Sequence, residues 1–317
     1  MKKAFSLSLV FILAALCGCS QEASDTQFIL DTAVTLTADC DENTLSEAFL
    51  LCRKLESEMS AAKSDSDIGR INASSGSVTV SEDTARVIEK GLYMGALSGG
   101  KFDISIYPLT SLWNIKEEVV PSKDEIAEAL KNIDYQSVKV SGTTVDANGK
   151  KLDLGGIAKG YIADKTLEFL KNSGAKRGVL NLGGNVIVFG DRYYNVGIKK
   201  PFSESELSAT LKVKNKSVVT SGVYERFFEK DGRQYHHIID PDTGYPADTD
   251  LLSATIISDS SFTGDALSTV CILLGKSAAA EFAENLGGDV QAVFIDRDYN
   301  ITYTSGIKKD GRYLVLK

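Results

Sequence analysis

The stretch Leu152–Lys165, LDLGGIAKGYIADK, joins two kinds of secondary structure within a few residues. An apolar segment typical of a strand runs into Gly155-Gly156, and a helical pattern begins near Ala158-Lys159. Glycines before a helix let backbone N–H groups approach an anion, which the positive end of the helix dipole also attracts. The spacing matches neither the dinucleotide-binding fingerprint nor the Walker loop. On its own, the stretch therefore fits a plain strand-to-helix turn as well as a phosphate-binding one.

Segments on both sides of this stretch predict helices and strands in mixed order. Upstream, one strand over residues 28–39 is followed by helices, which apolar spacing predicts over residues 42–60, 81–100 and 121–133. Residues 137–156 predict a hairpin with Asn148-Gly149 as its turn. Downstream, several strands precede helices over residues 261–276 and 277–288 and two final strands. Because strands and helices do not alternate strictly, the sequence predicts an α+β fold rather than a doubly wound sheet. We expect one compact unit over residues 28–317, with mixed sheets and packed helices.

The beginning of the chain predicts an exported protein. Lys2 and Lys3 precede an apolar stretch of signal-peptide length, which is too short to span a bilayer. It ends in Leu-Cys-Gly-Cys, residues 16–19, which resembles a bacterial lipobox. We therefore expect a lipoprotein signal peptide over residues 1–18, a lipid on Cys19 and a polar tether over residues 19–27. An ordinary cleaved signal peptide is the alternative.

Composition excludes several classes of function. The net charge is −8 and no basic run occurs, which argues against nucleic-acid binding. If Cys19 carries lipid, the mature chain keeps an odd number of other cysteines without metal-ligand spacing, namely Cys40, Cys52 and Cys271. This pattern argues against a disulfide framework and a zinc site, although a Cys40–Cys52 bridge stays open.

A second candidate site lies in TGDALST, residues 263–269. Asp265 and Thr269 are four residues apart on a predicted helix, so their side chains face the same way. A carboxylate and a hydroxyl are hard oxygen ligands that suit Mg²⁺ better than Zn²⁺. The alternative is an ordinary helix start, with Thr263 as the cap and Asp265 complementing the helix dipole.

Both histidines of the chain, His236 and His237, lie side by side in RQYHHIIDPDTGYP, residues 233–246. A histidine beside a carboxylate can act as a general base near neutral pH. Alternation along a strand would point the two rings to opposite faces, so only one of them can reach a given site. The alternative is a strand that happens to carry two histidines.

Taken together, Leu152–Lys165, residues 218–247 and residues 263–269 resemble, in this order and spacing, the ApbE family of FAD:protein FMN transferases. Residues 64–72, SDSDIGRIN, and 99–113, GGKFDISIYPLTSLW, resemble the first half of that family. The likeness covers residues 28–317. It implies a single α+β unit that holds FAD between its two halves, with Mg²⁺ on the pyrophosphate.

The family's activity would move FMN from FAD onto a threonine hydroxyl of an acceptor protein and release AMP. The implied acceptors are subunits of membrane redox complexes or extracytoplasmic flavoproteins. A lipid anchor on the cell membrane, with the protein facing the periplasm or the cell exterior, suits such a role. The alternatives are an Mg²⁺-dependent FAD pyrophosphatase, which differs only in using water, and a non-catalytic FAD-binding lipoprotein.

The resemblance also implies individual roles. The Mg²⁺ ligands would be Asp265, Thr269 and the backbone carbonyl of Ala158. Because the acceptor hydroxyl must lose its proton, we assign the base to His237, with Asp240 as the candidate orienting partner. The implied FAD contacts are Leu30, Lys101, Phe102, Asp103, Gly155, Tyr161 and Ile239. Two positions depart from the family pattern, because Leu30 stands where methionine is frequent and Gly264 where alanine is frequent. Neither change removes an oxygen ligand.

Overall fold

The computed structural model describes residues 22–317. The expected signal peptide, the lipobox and Cys19 lie outside the described residues. Within residues 22–317, no helix has both the length and the apolar character that crossing a bilayer requires.

The described chain contains helices and strands in mixed order. The helices are α1 Glu42–Met59, α2 Asp67–Ala73, α3 Glu82–Leu97, α4 Tyr107–Leu112, α5 Lys123–Leu130, α6 Ala158–Asn172, α7 Ser261–Leu274 and α8 Lys276–Leu286. The strands are β1 Ala23–Ile29, β2 Thr32–Ala38, β3 Val78–Thr79, β4 Lys139–Ser141, β5 Thr144–Asp146, β6 Gly178–Leu182, β7 Asn185–Phe189, β8 Tyr194–Lys199, β9 Leu207–Val213, β10 Lys216–Gly222, β11 Phe227–Lys230, β12 Arg233–His236, β13 Leu251–Ser258, β14 Gln291–Asp296, β15 Ile301–Tyr303, β16 Ile307–Asp310 and β17 Tyr313–Leu316. Short 3₁₀ turns occupy Ile115–Glu117 and Tyr135–Ser137.

An eight-stranded antiparallel sheet forms the centre of the molecule, in the order β1-β2-β6-β7-β10-β13-β14-β15. One face packs against α1, α6 and α7, which share a continuous apolar core with it. The other face packs against a four-stranded sheet, β16-β17-β9-β8, through a second apolar cluster. The α+β prediction is therefore confirmed.

One end of the large sheet gathers several tight turns. The β1–β2 turn is Leu30-Asp31, and both residues have left-handed backbone angles, φ 58° and 56°. The β6–β7 turn is Gly183-Gly184, and a Cβ on Gly183 would lie 2.4 Å from the Thr32 hydroxyl. The neighbouring strand β10 ends here at Gly222. This end of the sheet borders the candidate site.

A smaller unit closes the other side of the site. It is built around α4 and α5 and has its own apolar cluster, which includes Trp113, Ile126 and Ile239. The indole N–H of Trp113 donates to the carbonyl of Gly244 over 2.7 Å, so the turn after β12 is fastened to this unit. The ligand site between two halves stays a prediction, and this unit and the end of the large sheet are the two parts of the fold that would border it.

Four local predictions were wrong. The apolar segment before Gly155-Gly156 lies outside every strand of the described structure. Residues 23–27 of the expected tether belong to β1, because their backbone pairs with β2 from Ala23 opposite Ala38 onwards. The single strand predicted over residues 28–39 is broken by the Leu30-Asp31 turn, which no glycine marks. The hairpin predicted around Asn148-Gly149 instead turns at Ser141–Thr144, where β4 and β5 pair.

The cysteines form no bridge within the described part of the chain. Cys40, Cys52 and Cys271 are free thiols. Cys271 is buried in α7, as its apolar surroundings predict. The thiol of Cys52 instead lies 3.2 Å from the hydroxyl of Thr166.

Candidate active site

The beginnings of α6 and α7 meet at the centre of the candidate site. The carboxylate of Asp265 accepts a hydrogen bond of 2.8 Å from the backbone N–H of Gly160. A Cβ on Gly160 would lie 2.3 Å from the carbonyl oxygen of Ser261, so only glycine permits this approach. The glycine of the Lys159-Gly160 pair in the opening stretch therefore serves helix packing.

Asp265 is a buried carboxylate that needs a positive partner. It is 3% exposed, and its Oδ1 atom lies 3.3 Å from the ammonium group of Lys159. A buried anion is costly unless a cation or several donors compensate for it. Lys159 also contacts Asn185 Oδ1 over 3.1 Å, so it links α6 to the β6–β7 turn.

The three oxygen donors predicted for Mg²⁺ belong to the two helices that meet here. Ala158 is the first residue of α6, whereas Asp265 and Thr269 lie one turn apart on α7. The Thr269 hydroxyl makes only long contacts, 3.4 Å to Ser221 Oγ and 3.5 Å to the carbonyl of Asp265. A carboxylate, a hydroxyl and a carbonyl form the hard oxygen set that Mg²⁺ prefers. The residues present therefore fit the ion.

Glu225 lines the same region and was not among the predicted site residues. Its side chain is exposed to solvent, yet desolvation by the surrounding protein raises its pKa to about 7. Lys159 and Arg226 favour its ionised form, whereas Asp265 opposes it. Its Oε1 atom would lie 3.6 Å from a Cβ on Gly184. These neighbours place Glu225 at the edge of the candidate site, close to Lys159, Asp265 and the β6–β7 turn.

The two histidines have different environments, as predicted. His236 is buried, its Nε2–H donates to the carbonyl of Ala247, and its Nδ1 accepts the N–H of Ile238. Both ring nitrogens are thus used inside the fold. Burial lowers the pKa of His236 to about 4, so its ring stays neutral at physiological pH.

His237 keeps one ring nitrogen free for chemistry. Its Nδ1 lies 3.2 Å from the carbonyl oxygen of Arg226, which can only accept, so Nδ1 carries the proton and Nε2 is the unprotonated nitrogen. Desolvation, reinforced by the Arg226 charge, lowers the pKa of His237 to about 3. The ring is therefore neutral at pH 7 and can accept a hydrogen bond or a proton at Nε2.

The predicted orienting role of Asp240 was wrong. Its carboxylate contacts Lys101 Nζ over 3.3 Å and caps the N–H of Asp242, while the backbone of Arg226 orients His237. Asp242 also binds Lys101, over 2.7 Å. Desolvation is the largest influence on the Lys101 ammonium, but its two acidic partners together raise its pKa. Lys101 thus fastens the loop after α3 to the turn after β12.

Two predicted FAD contacts use their polar groups within the fold. Asp103 accepts hydrogen bonds from the N–H and hydroxyl of Ser105 and from the N–H of Tyr135. The Tyr161 hydroxyl donates to Asp83 over 2.5 Å, and burial together with this bond raises the pKa of Tyr161. The Asp103 carboxylate and the Tyr161 hydroxyl therefore stabilise the surrounding fold through these hydrogen bonds.

The other predicted FAD contacts lie around the cleft. Phe102 borders the Gly155-Gly156 turn, where a Cβ on Gly156 would lie 3.2 Å from its ring. Gly155 is exposed and its N–H donates to Asp153. Leu30 lies in the β1–β2 turn, with its N–H held by Glu56. Ile239 is buried in the smaller unit.

Comparisons with known proteins agree with this architecture. The sequence model of the ApbE family matches residues 30–294. The FAD:protein FMN transferase of Treponema pallidum is 37% identical over 289 residues, which cover 83% of this chain and 80% of that protein. A protein of the same name from Klebsiella pneumoniae is 36% identical, with 84% and 86% covered.

Solved structures show the same fold. The ApbE protein of Thermotoga maritima superposes with a TM-score of 0.83 at 30% identity, covering 90% of this chain and 97% of that one. The flavinyl transferase ApbE of Pseudomonas stutzeri gives a TM-score of 0.80 at 27% identity, with 90% and 95% covered. The family match, the relatives and the α6–α7 junction together show that this chain belongs to the ApbE family.

Proposed function

We propose that this protein is an Mg²⁺-dependent FAD:protein FMN transferase. It would transfer FMN from FAD to a threonine hydroxyl of an acceptor protein and release AMP. In this reaction the threonine oxygen forms a phosphoester bond to the FMN phosphorus, the bond between that phosphorus and the bridging oxygen breaks, and the bridging oxygen leaves with AMP. The observation that carries the proposal is the junction of α6 and α7, where a buried carboxylate, a weakly engaged hydroxyl and a lysine meet beside a free imidazole nitrogen.

Asp265, Thr269 and the Ala158 carbonyl would hold Mg²⁺. A bound Mg²⁺ neutralises charge on the transferring phosphoryl group. Lys159 adds a fixed positive charge 3.3 Å from Asp265, on the side that faces Asn185. The exposed Gly155 in the turn before α6 leaves room for a phosphate to approach the backbone, which supports pyrophosphate binding there.

His237 would take the proton of the acceptor hydroxyl at Nε2. Its hydrogen bond to the Arg226 carbonyl fixes the ring and the tautomer. A neutral ring is the form that a base requires, and the lowered pKa of His237 keeps it neutral at physiological pH. Asp265 serves the metal in this scheme and does not move a proton.

We further propose that the protein is exported and anchored to the cell membrane by a lipid on Cys19, facing the periplasm or the cell exterior. The lipobox-like residues 16–19 support this location. The acceptor would then be a subunit of a membrane redox complex or an extracytoplasmic flavoprotein.

The test is to incubate the protein with FAD, Mg²⁺ and an acceptor protein, and to measure both AMP and acceptor mass. Transfer predicts one attached FMN for each AMP released. AMP without labelled acceptor would instead identify an FAD pyrophosphatase. Bound FAD without any AMP would identify a non-catalytic flavin-binding protein and overturn both enzymatic functions.

A further inference from the structure

The two helices that form the candidate metal site exchange their N-terminal caps. Helix α6 has no capping side chain of its own, because Ile157 occupies its N-cap position. Its Gly160 N–H instead donates to Asp265, which belongs to α7. In the opposite direction, Asp164 of α6 accepts from the first N–H groups of α7.

Asp164 makes three contacts at the start of α7. Its Oδ1 accepts the N–H of Ser261 over 2.9 Å, and its Oδ2 accepts the N–H of Phe262 over 3.1 Å. The Ser260 hydroxyl donates to Oδ2 over 2.7 Å and accepts the N–H of Thr263. The N–H groups that a helix start leaves unpaired are therefore satisfied from the neighbouring helix.

The exchange is symmetric along the two helices. In α6 the donor Gly160 and the acceptor Asp164 are one turn apart, and in α7 the donor Ser261 and the acceptor Asp265 are also one turn apart. Each helix thus donates one backbone hydrogen bond to the other helix and accepts one from it, one turn apart. The two helix starts approach so closely at Gly160 that a larger side chain there would clash with Ser261 and Asp265.

This arrangement determines the spacing of the predicted metal ligands. Ala158 begins α6, whereas Asp265 and Thr269 lie on α7, so their separation depends on how the two helix starts dock. Asp164 ties α7 to α6 at this point, in addition to Lys159, which contacts Asp265. The Asp164 carboxylate is not one of the proposed ligands. Burial raises the pKa of Asp164, which is consistent with a position inside the fold.

We propose that Asp164 is a positioning residue for the metal site: by capping α7 from α6, it holds Asp265 and Thr269 at the correct distance from Ala158. This inference rests on the proposed Mg²⁺-dependent function. Side chains that orient metal ligands through hydrogen bonds typically contribute about 10–100-fold to metal affinity.

The experiment compares Asp164→Asn with Asp41→Asn in the full chain. Asp41 is a matched control, because it caps α1 by accepting the N–H of Thr44 and contributes nothing to the candidate site. Calorimetric titration with MgCl₂ should show affinity about tenfold lower for Asp164→Asn. Asp41→Asn should bind Mg²⁺ as the wild type does. Equal affinity in Asp164→Asn and wild type would overturn the proposal, as would an equal loss in the two variants.

Amide hydrogen exchange without metal gives a second, independent measurement. Asp164→Asn should accelerate exchange in the first turns of both α6 and α7, because the Gly160–Asp265 bond loosens with the docking. A purely local cap would accelerate α7 alone, which would overturn the positioning role. If Asp164→Asn does not fold, Ser260→Ala removes one of the Asp164 contacts, and unchanged Mg²⁺ affinity in that variant would count against the proposal.

The outcomes separate this inference from the proposed function. Wild-type protein that binds no Mg²⁺ would remove the metal site itself and this inference with it. Wild-type protein that binds Mg²⁺ while Asp164→Asn binds it equally well would overturn only the role of Asp164.

Discussion

The two sides of the candidate site, here called its walls, differ in how many of their polar groups are already hydrogen-bonded within the protein. On the wall formed by α6, α7 and the end of the large sheet, Thr269 has only long contacts and His237 keeps a free ring nitrogen. On the opposite wall, Lys101 binds Asp240 and Asp242, and Asp103 is satisfied by neighbouring backbone and hydroxyl groups. In the proposed function the first wall would carry the reacting groups, and we call it the reactive wall. The polar side chains of the second wall are already bound to one another or to the backbone.

The largest effect is expected from Asp265→Asn, which changes the reactive wall most. The change removes the charge that would hold Mg²⁺ in the proposed function and weakens the contact with Lys159. We expect AMP release to fall about 100-fold or more, because a bound metal ion contributes several kcal/mol to such a reaction. An enzymatic AMP assay over a range of Mg²⁺ concentrations measures this. Wild-type rates in the variant would show that the reactive wall has been assigned to the wrong helices.

The next largest effect is expected from His237→Gln, which keeps a polar side chain but removes the base. Transfer should slow about 100-fold, within the range usual for general-base catalysis, while FAD affinity stays unchanged. Stopped-flow transfer assays and FAD fluorescence titration separate the two quantities. Because the pKa of His237 is lowered to about 3, the variant should not change the pH dependence of the rate above pH 5. An unchanged rate would exclude His237 as the base.

A smaller effect on stability is expected from Glu225→Gln. The pKa of Glu225 is about 7 in the folded protein, against an ordinary value of 4.5, so between these values the folded state binds more protons than the unfolded state. Stability that depends on this group therefore falls as pH rises through this window. In EDTA, the variant should unfold about 2–4 °C above wild type at pH 8, with the difference shrinking towards pH 5. A difference independent of pH would contradict the cleft environment of Glu225.

The smallest effect is expected from Tyr161→Phe on α6, because the Tyr161 hydroxyl is already engaged by Asp83 of α3. The change removes the hydrogen bond to Asp83, which should cost about 1 kcal/mol of stability. FAD affinity should stay unchanged, because the hydroxyl serves the fold. Thermal unfolding and FAD titration test this together. Weaker FAD binding with unchanged stability would instead support the flavin contact that the family resemblance implies. It would also show that a hydroxyl bound within the fold takes part in ligand binding.

Local sequence signals predicted much of the reactive wall. The glycines and helix start of residues 152–165, and the four-residue spacing of Asp265 and Thr269, needed only helical periodicity to be interpreted. Opposite roles for His236 and His237 followed from strand alternation. Each of these features depends on residues that are close in sequence, so the local pattern of residue types was enough to predict it.

Features that depend on contacts distant in sequence were missed. Glu225 looks like an ordinary surface acid in the sequence, and only folding surrounds it with Lys159 and Asp265. The sequence paired Asp240 with His237 because the two are close in sequence. In the structure Asp240 instead binds Lys101, which is distant in sequence. The β1–β2 turn was missed because Leu30 rarely adopts a left-handed conformation and no Asn-Gly or Asp-Gly pair marks the turn.

The most direct test of the account is the ratio of AMP released to FMN attached, measured on the same reaction by nucleotide chromatography and intact acceptor mass. The account predicts a ratio of one, dependent on Mg²⁺ and lost in Asp265→Asn. AMP formed in the presence of acceptor without any attached FMN, or FMN attached with no dependence on Mg²⁺, would contradict it.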